Sequence, residues 1–252
     1  MGKRYIAPSV NKAFDILRAI SSSRGGIGIN KLAKDLMMAK STVHGITSTL
    51  ERLGAVMRNP LTKKYSLGFT LFELGRFAYS QNDLKDVARP VMEELMEKSQ
   101  ESVFLGVLNR EHVTILDIVE SMHDLKITSP IGTTIPLLAG ATGKVILACL
   151  NEDKAVKIVR ERGIQRYTKN TITDIEQYMQ EVRRARENGY ATDYEEYILG
   201  VRAVSSPIKG NRNLISAIWV VGFRTGLDND KMKAIVGLTK RAAETISRRI
   251  EG

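Results

Sequence analysis

Residues 29–53 read INKLAKDLMMAKSTVHGITSTLERL, and the spacing of their apolar side chains decides how the start of the chain folds. Ile29 ahead of Asn30 predicts an apolar residue before an N-cap. It opens a helix of about two turns through Leu36, with Leu32, Ala33 and Leu36 on one face. After a bend at 37–39, a second helix is expected from about Ser41 to Leu53, with Val43, Ile46, Leu50 and Leu53 as its buried stripe. The opposite face offers Lys40, Ser41, Thr42, His44, Thr47, Ser48 and Arg52, short hydrogen-bonding side chains with cations at both ends. A short helix, a tight turn and a polar-faced helix make a helix-turn-helix, whose second helix enters a DNA major groove by its N-terminal part.

The flanking segments extend this reading. Val10, Ala13, Phe14, Leu17 and Ile20 recur at helical spacing between Pro8 and a loop at 21–26, which predicts an amphipathic first helix. Downstream, extended stretches at 55–58 and 64–67 flank a turn at 59–63. The resulting hairpin carries Arg58, Lys63 and Lys64 near its tip, a wing whose cations would contact phosphates and position the protein without reading sequence. Charge agrees with this. Of the net +10, residues 1–68 hold twelve Lys or Arg against three Asp or Glu, a net of +9; residues 69–252 hold 26 against 25, a net of +1. A basic unit joined to a neutral one predicts a polyanion partner for the first and a different task for the second.

With 252 residues and 43% hydrophobic content the chain can bury a full core in one large domain or two ordinary ones. Its longest apolar stretches, 145–150 and 214–222, fall far short of the roughly 20 residues that span a bilayer, so no membrane partner is expected. Residues 1–8 have no apolar segment of signal-peptide length, and the lone Cys149 cannot form an intramolecular disulfide; the cytoplasm is the expected compartment. The stretch 69–80 is nearly free of charge and apolar on more than one side, which predicts a helix packed against a partner. Beyond it the pattern predicts an α+β unit. A helix starts at Leu84 and strands follow at 103–108 and 113–119, with extended stretches at 125–129 and 134–138. Helices are expected from about Thr142, at 152–162 and at 174–188, the last stopped by Gly189. Strands at 190–193, 201–207 and 214–222 precede a final helix at 229–250.

Two chemical motifs need weighing. GATGK at 140–144 suggests a phosphate loop, but that pattern requires Gly at 138 and Ser or Thr at 145, where the chain has Leu138 and Val145. Asp193, Glu195 and Glu196 form a compact acidic cluster, yet His44, His112 and His123 are scattered and none is close in sequence. Glu195 and Glu196 read as a solvated turn, and Cys149 as a small core residue on an apolar helix. No catalytic residue, metal or cofactor is therefore expected. An enzyme with an N-terminal docking module is the alternative function, and a DNA scaffold without ligand control is a third.

Three N-terminal segments, SVNKAFDILRAIS (9–21), INKLAKDLMMAKSTVHGITSTLERLGAVMRN (29–59) and KYSLGFTLFELG (64–75), resemble the DNA-binding domain of the IclR family of bacterial transcriptional regulators. ENGYATDYEEYILGVRAVSSPI (187–208) and LTKRAAETISRRI (238–250) resemble its effector-binding domain. The resemblance implies an α+β chain: a winged helix-turn-helix at 1–68, a linker helix at 69–82 that supports dimerisation, and a GAF-like antiparallel sheet flanked by helices at 83–252. It implies a regulator whose binding to double-stranded operator DNA is modulated by a small-molecule effector, working as a homodimer or a dimer of dimers. Dimers would match half-sites about 34 Å apart.

Further implications concern single residues. The helix start at Gly140, Ala141 and Thr142 would hold a carboxylate or similar group, with a tight structural turn as the alternative. Asp193 lines the effector pocket in the resemblance, with Val201 and Ala203 close by and Ile127, Ile135 and Ile218 completing the wall. Four positions depart from the family pattern. Gly45 stands in the recognition helix where many relatives carry a larger or basic residue, so either the backbone approaches DNA closely there or the base contact is made elsewhere. Ala203 replaces a frequent Cys, which disfavours metal. Trp219, Val220, Val221 and Gly222 replace serine, apolar, serine, glycine. If Trp219 and Val221 face the pocket, its wall is apolar and aromatic and suits an organic or aromatic acid; the alternative is that Trp219 fills the core.

Overall fold

Pro8 has no backbone N–H to leave unsatisfied and a fixed φ, so it starts α1 (Pro8–Ser21) where a helix tolerates it best. This is the first element of a computed structural model that describes residues 7–80, 84–210 and 214–251. The chain divides into two units, Met1–Asn82 and Asp83–Gly252.

In the first unit, α1 is followed by α2 (Ile29–Asp35), α3 (Lys40–Arg52), the hairpin β1 (Val56–Arg58) with β2 (Tyr65–Leu67), and α4 (Phe69–Ser80). Ile16, Ile20, Ile27, Leu32, Val43, Val56 and Tyr65 form its core. The inward stripe of α1 is Ile16 and Ile20 with Leu17 beside them, whereas Val10 and Phe14, expected on that stripe, are more than half exposed. Asn30 does not cap α2; it lies inside the helix, whose N-cap is Gly28 with no side-chain bond. Met37, at φ 50°, makes the bend between α2 and α3. Leu53, expected in the stripe of α3, is instead the C-cap residue and 60% exposed.

The second unit begins with α5 (Leu84–Ser99) and holds one six-stranded antiparallel sheet: β3 (Ser102–Asn109), β4 (His112–Val119), β5 (Thr134–Pro136), β6 (Ala191–Tyr194), β7 (Val201–Ile208) and β8 (Ser216–Phe223). Its strand order is β5-β4-β3-β8-β7-β6. Residues 125–129, expected to be extended, form no strand, so the chain between β4 and β5 is irregular. Between β5 and β6 run α6 (Gly140–Ala148), α7 (Glu152–Arg162) and α8 (Ile175–Asn188), and α9 (Asn229–Glu251) ends the chain. Asn151 and Asp174 accept the Lys154 and Gln177 amides at 2.9 and 2.8 Å, capping α7 and α8. Gly189, left-handed at φ 74°, stops α8.

Period-two alternation sends β-strand side chains into two cores. Phe104, Ala217, Trp219 and Val221 pack on one face with α6, α7 and α8. Leu105, Val204, Ile218 and Val220 pack on the other with α5 and α9. Gly143 lets α6 sit close, because a Cβ there would lie 2.3 Å from the Leu137 carbonyl oxygen. Cys149, expected in the core, is the C-cap of α6 and exposed. Among the described residues no helix is long and apolar enough to cross a membrane.

Candidate nucleic-acid interface and ligand cavity

The first candidate surface is the outward face of α3. Lys40, Ser41, His44, Gly45, Ser48 and Arg52 are exposed there and Thr42 is half-exposed. Thr47, expected among them, is fully buried: it sits one turn beyond Val43 on the inward stripe, and its Oγ1 donates to the carbonyl of Val43 at 2.8 Å. The hydroxyl is satisfied inside its own helix, so it reads as core rather than as a contact. A Cβ at Gly45 would meet nothing within 4 Å, so no packing requires glycine.

The hairpin beside α3 is a wing. Asn59 Oδ1 accepts the amides of Leu61 and Thr62, both at 2.9 Å, and Lys63 takes a left-handed φ of 59° to close the turn. Lys63 and Lys64 are exposed at the turn, and the Arg58 guanidinium lies 5.8 Å from the ring centre of buried Tyr65. Tyr65 is bridged to Ile27, which fixes the wing to the core.

The second candidate is a cavity of about 230 Å³ in the second unit, on the α6 side of the sheet. An apolar cavity of about 150 Å³ holds benzene, so this one admits a molecule roughly half as large again. Its floor is Phe104, Trp219 and Val221 on β3 and β8; Ile115, Val201 and Ala203 extend it along β4 and β7. Phe104 and Trp219, register partners, stack with centroids 5.5 Å apart and planes 10° from parallel. Thus Trp219 lines the cavity while being 4% exposed. Opposite stand Ile127 and Ile135 with Thr128, Ser129, Thr133 and Thr134; at one end lie Ala139, Gly140, Ala141 and Thr142 at the start of α6.

Every residue expected from the sequence lines this cavity except Ile218. The same alternation that turns Trp219 and Val221 inward turns Ile218 to the other face, where it packs with Leu105 and Val220. Phe104, Ile115, Ala139, the four Ser and Thr side chains at 128, 129, 133 and 134, Tyr197 and Ile198 were missed. Phe104 could have been found only by knowing that it pairs with Trp219.

Helix α6 starts at Gly140 rather than Thr142, so the amides of Gly140, Ala141 and Thr142 have no helical carbonyl to donate to. The Asp193 carboxylate lies against this end: a Cβ at Gly140 would stand 2.4 Å from its Oδ2. Asp193 Oδ1 accepts the Glu196 amide at 2.6 Å. Burial pushes the Asp193 carboxyl up to about 6, although that amide bond pulls the other way.

Glu195 and Glu196 are not a solvated turn. Lys144 on α6 is 1% exposed and donates to Glu196 Oε1 at 2.6 Å and to the Thr192 carbonyl at 3.1 Å, tying α6 to the strand that carries Asp193. Glu195 is buried and accepts the Gly200 amide at 3.0 Å. Thr168 and Thr171 donate to the Glu195 and Glu196 carbonyls, both at 2.6 Å, which holds the loop in place. The cluster is therefore structural scaffolding with one carboxylate turned to the cavity. Among the described residues no group of three or more His, Cys, Asp or Glu is placed to hold a metal ion.

Comparison with known proteins matches both units. Residues 9–60 match the family model described as the IclR helix-turn-helix domain, and residues 76–248 match that of the bacterial transcriptional regulator IclR C-terminal domain. The HTH-type transcriptional regulator KdgR of Escherichia coli K12 is 34% identical over 240 residues, 95% of this chain and 91% of the relative. The transcriptional repressor IclR of the same organism is 26% identical over 242 residues, 95% of this chain and 88% of the relative. A crystal structure of an IclR transcriptional regulator from Alicyclobacillus acidocaldarius aligns with a TM-score of 0.83 at 27% identity, covering 98% of this chain and 100% of that one.

Proposed function

This chain belongs to the IclR family of DNA-binding transcriptional regulators, and from that we propose that α3 and the wing bind operator DNA while the β3–β8 cavity takes the effector that tunes that binding. The relatives named are regulators, not enzymes, which removes the enzyme alternative. Base edges would be met by Ser41, Thr42, His44 and Ser48, with Gly45 allowing close backbone approach; Lys40, Arg52, Arg58, Lys63 and Lys64 would meet phosphates. The observation that carries this reading is the separation of charge: nearly all the net positive charge lies in residues 1–68, the segment that holds these exposed side chains.

The effector would be a small organic acid with a flat or alkyl body. The aromatic floor supports the body, and the unpaired α6 amides support the acid group. The protein would act as a dimer. Phe69, Phe72 and Leu74 on α4, and Val10 and Phe14 on α1, are each more than half exposed, apolar surface that a monomer rarely leaves uncovered. A regulator of its own genome would work in the cytoplasm. A mobility-shift assay on DNA upstream of its own gene, with and without a panel of small organic acids, tests this proposal. It predicts a shifted complex whose midpoint one class of acid moves; a complex indifferent to every compound, while Trp219 emission also stays constant, would leave a DNA binder without an effector.

A further inference from the structure

Among the described residues lining the cavity, Asp193 is the one charged side chain: no Lys, Arg or His faces the space. An acid ligand therefore finds no cation. It finds the amides at the start of α6 and, directly against them, a carboxylate. Two carboxylates sharing one partly desolvated site cannot both stay ionised; one proton between them turns repulsion into a hydrogen bond. We propose that the cavity takes a carboxylic acid together with one proton, which Asp193 and the ligand's carboxylate then share.

The surroundings of Asp193 favour this. Lys144, on α6, is the nearest buried cation, but it is committed to Glu196 and the Thr192 carbonyl. Glu196 acts both ways: its amide donates to Asp193 and favours the ionised form, while its negative charge favours the protonated one. The Tyr197 amide and the Lys144 charge also favour ionisation, and burial outweighs them. Glu195 is turned to the Gly200 amide and Arg224. From α8 comes the buried Tyr178 phenol, donating to the Leu138 carbonyl; from the loop comes the Tyr197 phenol, edge-on to Tyr167. On β7, Arg202 is bound to the Leu227 carbonyl and Asn229, and β8 presents only Trp219 and Val221. Burial already holds the Asp193 carboxyl near pH 6 without ligand, so supplying the proton is easy in mildly acidic medium and grows costlier above it. Asp193 thus acts as a specificity element: it admits acids as proton-sharing pairs and weakens their binding as pH rises.

The inference rests on the cavity being the effector site, and the test separates the two. Benzoate and its neutral isostere benzamide are titrated into the full-length protein between pH 5.5 and 8, with Trp219 emission and calorimetry in buffers of different ionisation enthalpy. Trp219 is the only tryptophan, so its signal reports this cavity. Benzoate stays ionised throughout, being an acid of pKa about 4. The expected result is a benzoate affinity that falls about tenfold per pH unit above 6.5, with about one proton taken up per molecule bound. Benzamide should bind with no such dependence. In Asp193→Asn, which keeps the acceptor for the Glu196 amide, benzoate binding should lose both the slope and the proton uptake. A flat wild-type profile without proton uptake overturns the proposal. So does exclusion of benzoate from the wild type at every pH while benzamide binds, and either leaves the cavity reading intact. If neither probe changes Trp219 emission, the cavity reading falls as well.

Discussion

A methyl group added at Gly106 would lie 2.8 Å from Cη2 of Trp219, so the glycine is what allows the indole to come this close to the β3 backbone. It sits at the β-bulge between Leu105 and Gly106 in the β3–β4 pairing, where the strand departs from regular register. With the Thr114 carbonyl oxygen 2.9 Å from the same point, the methyl has no room on the other side. Gly106→Ala should destabilise the second unit by about 1–3 kcal/mol through overpacking and shift Trp219 emission. Thermal unfolding followed by fluorescence reads both; unchanged stability would mean that the floor of the cavity is looser than this packing implies.

Two positions on α3 separate packing from recognition. Thr47→Val keeps the shape of a buried side chain and should leave operator affinity within about twofold, at a stability cost of about 1 kcal/mol for the lost hydroxyl bonds. Gly45→Ala should do the reverse. It should raise stability by up to about 1 kcal/mol, because the position is open and helical, and weaken operator binding, because the helix backbone can no longer come as close. Chemical denaturation and anisotropy titration of each variant check the pair. Loss of DNA binding in Thr47→Val with normal stability would put that residue back at the interface.

Lys63 and Lys64 stand at the wing turn with their side chains in solvent. Either one changed to Ala should weaken binding to all duplexes alike. The slope of log affinity against log salt should fall by about one for each phosphate no longer neutralised. Titrations at a series of salt concentrations measure it. A change confined to one DNA sequence would instead assign the lysine to base recognition.

Asp193 should leave a pH signature on stability. Its carboxyl sits near 6 in the folded chain against an ordinary 3.8, so between those values the folded state holds a proton that the unfolded state has released. Its contribution to stability is fully present below 3.8 and is lost as pH rises through about 6. Asp193→Asn removes that loss. The variant should match the wild type near pH 4 and be more stable by about 1–3 kcal/mol at pH 8. Urea denaturation at the two pH values tests this; a variant less stable than wild type at pH 8 would show that the ionised carboxylate is held by favourable interactions.

How far the sequence could be read follows from which forces act locally. The helix-turn-helix was legible because its apolar spacing and charge are properties of one continuous segment, and α7 and α8 because their N-caps and a stopping glycine are written beside them. The inward turn of Thr47 was not, since a polar side chain on a buried stripe looks like part of the polar face until helical phase is counted from Val43. Ile218 illustrates the same limit in a strand: one residue of parity separates the cavity from the α5–α9 core, and proximity to Trp219 in sequence put it on the wrong side. Phe104 and the pair of Lys144 with Glu196 depend on packing between distant segments that no local pattern records.

The role proposed for the first unit stands or falls on whether the outward face of α3 reads DNA sequence. Fluorescence anisotropy of the full-length chain on the duplex upstream of its own gene and on a scrambled duplex, at about 150 mM salt, compares wild type with a Thr42→Ala, Ser48→Ala double variant. Wild type should bind the native duplex tightly and the scrambled one weakly. The variant should lose most of that difference, at least tenfold for two direct base contacts of about 1 kcal/mol or more each, while its circular dichroism spectrum is unchanged. Equal affinity of the wild type for both duplexes, or an unaltered preference in a folded variant, would refute that role for α3.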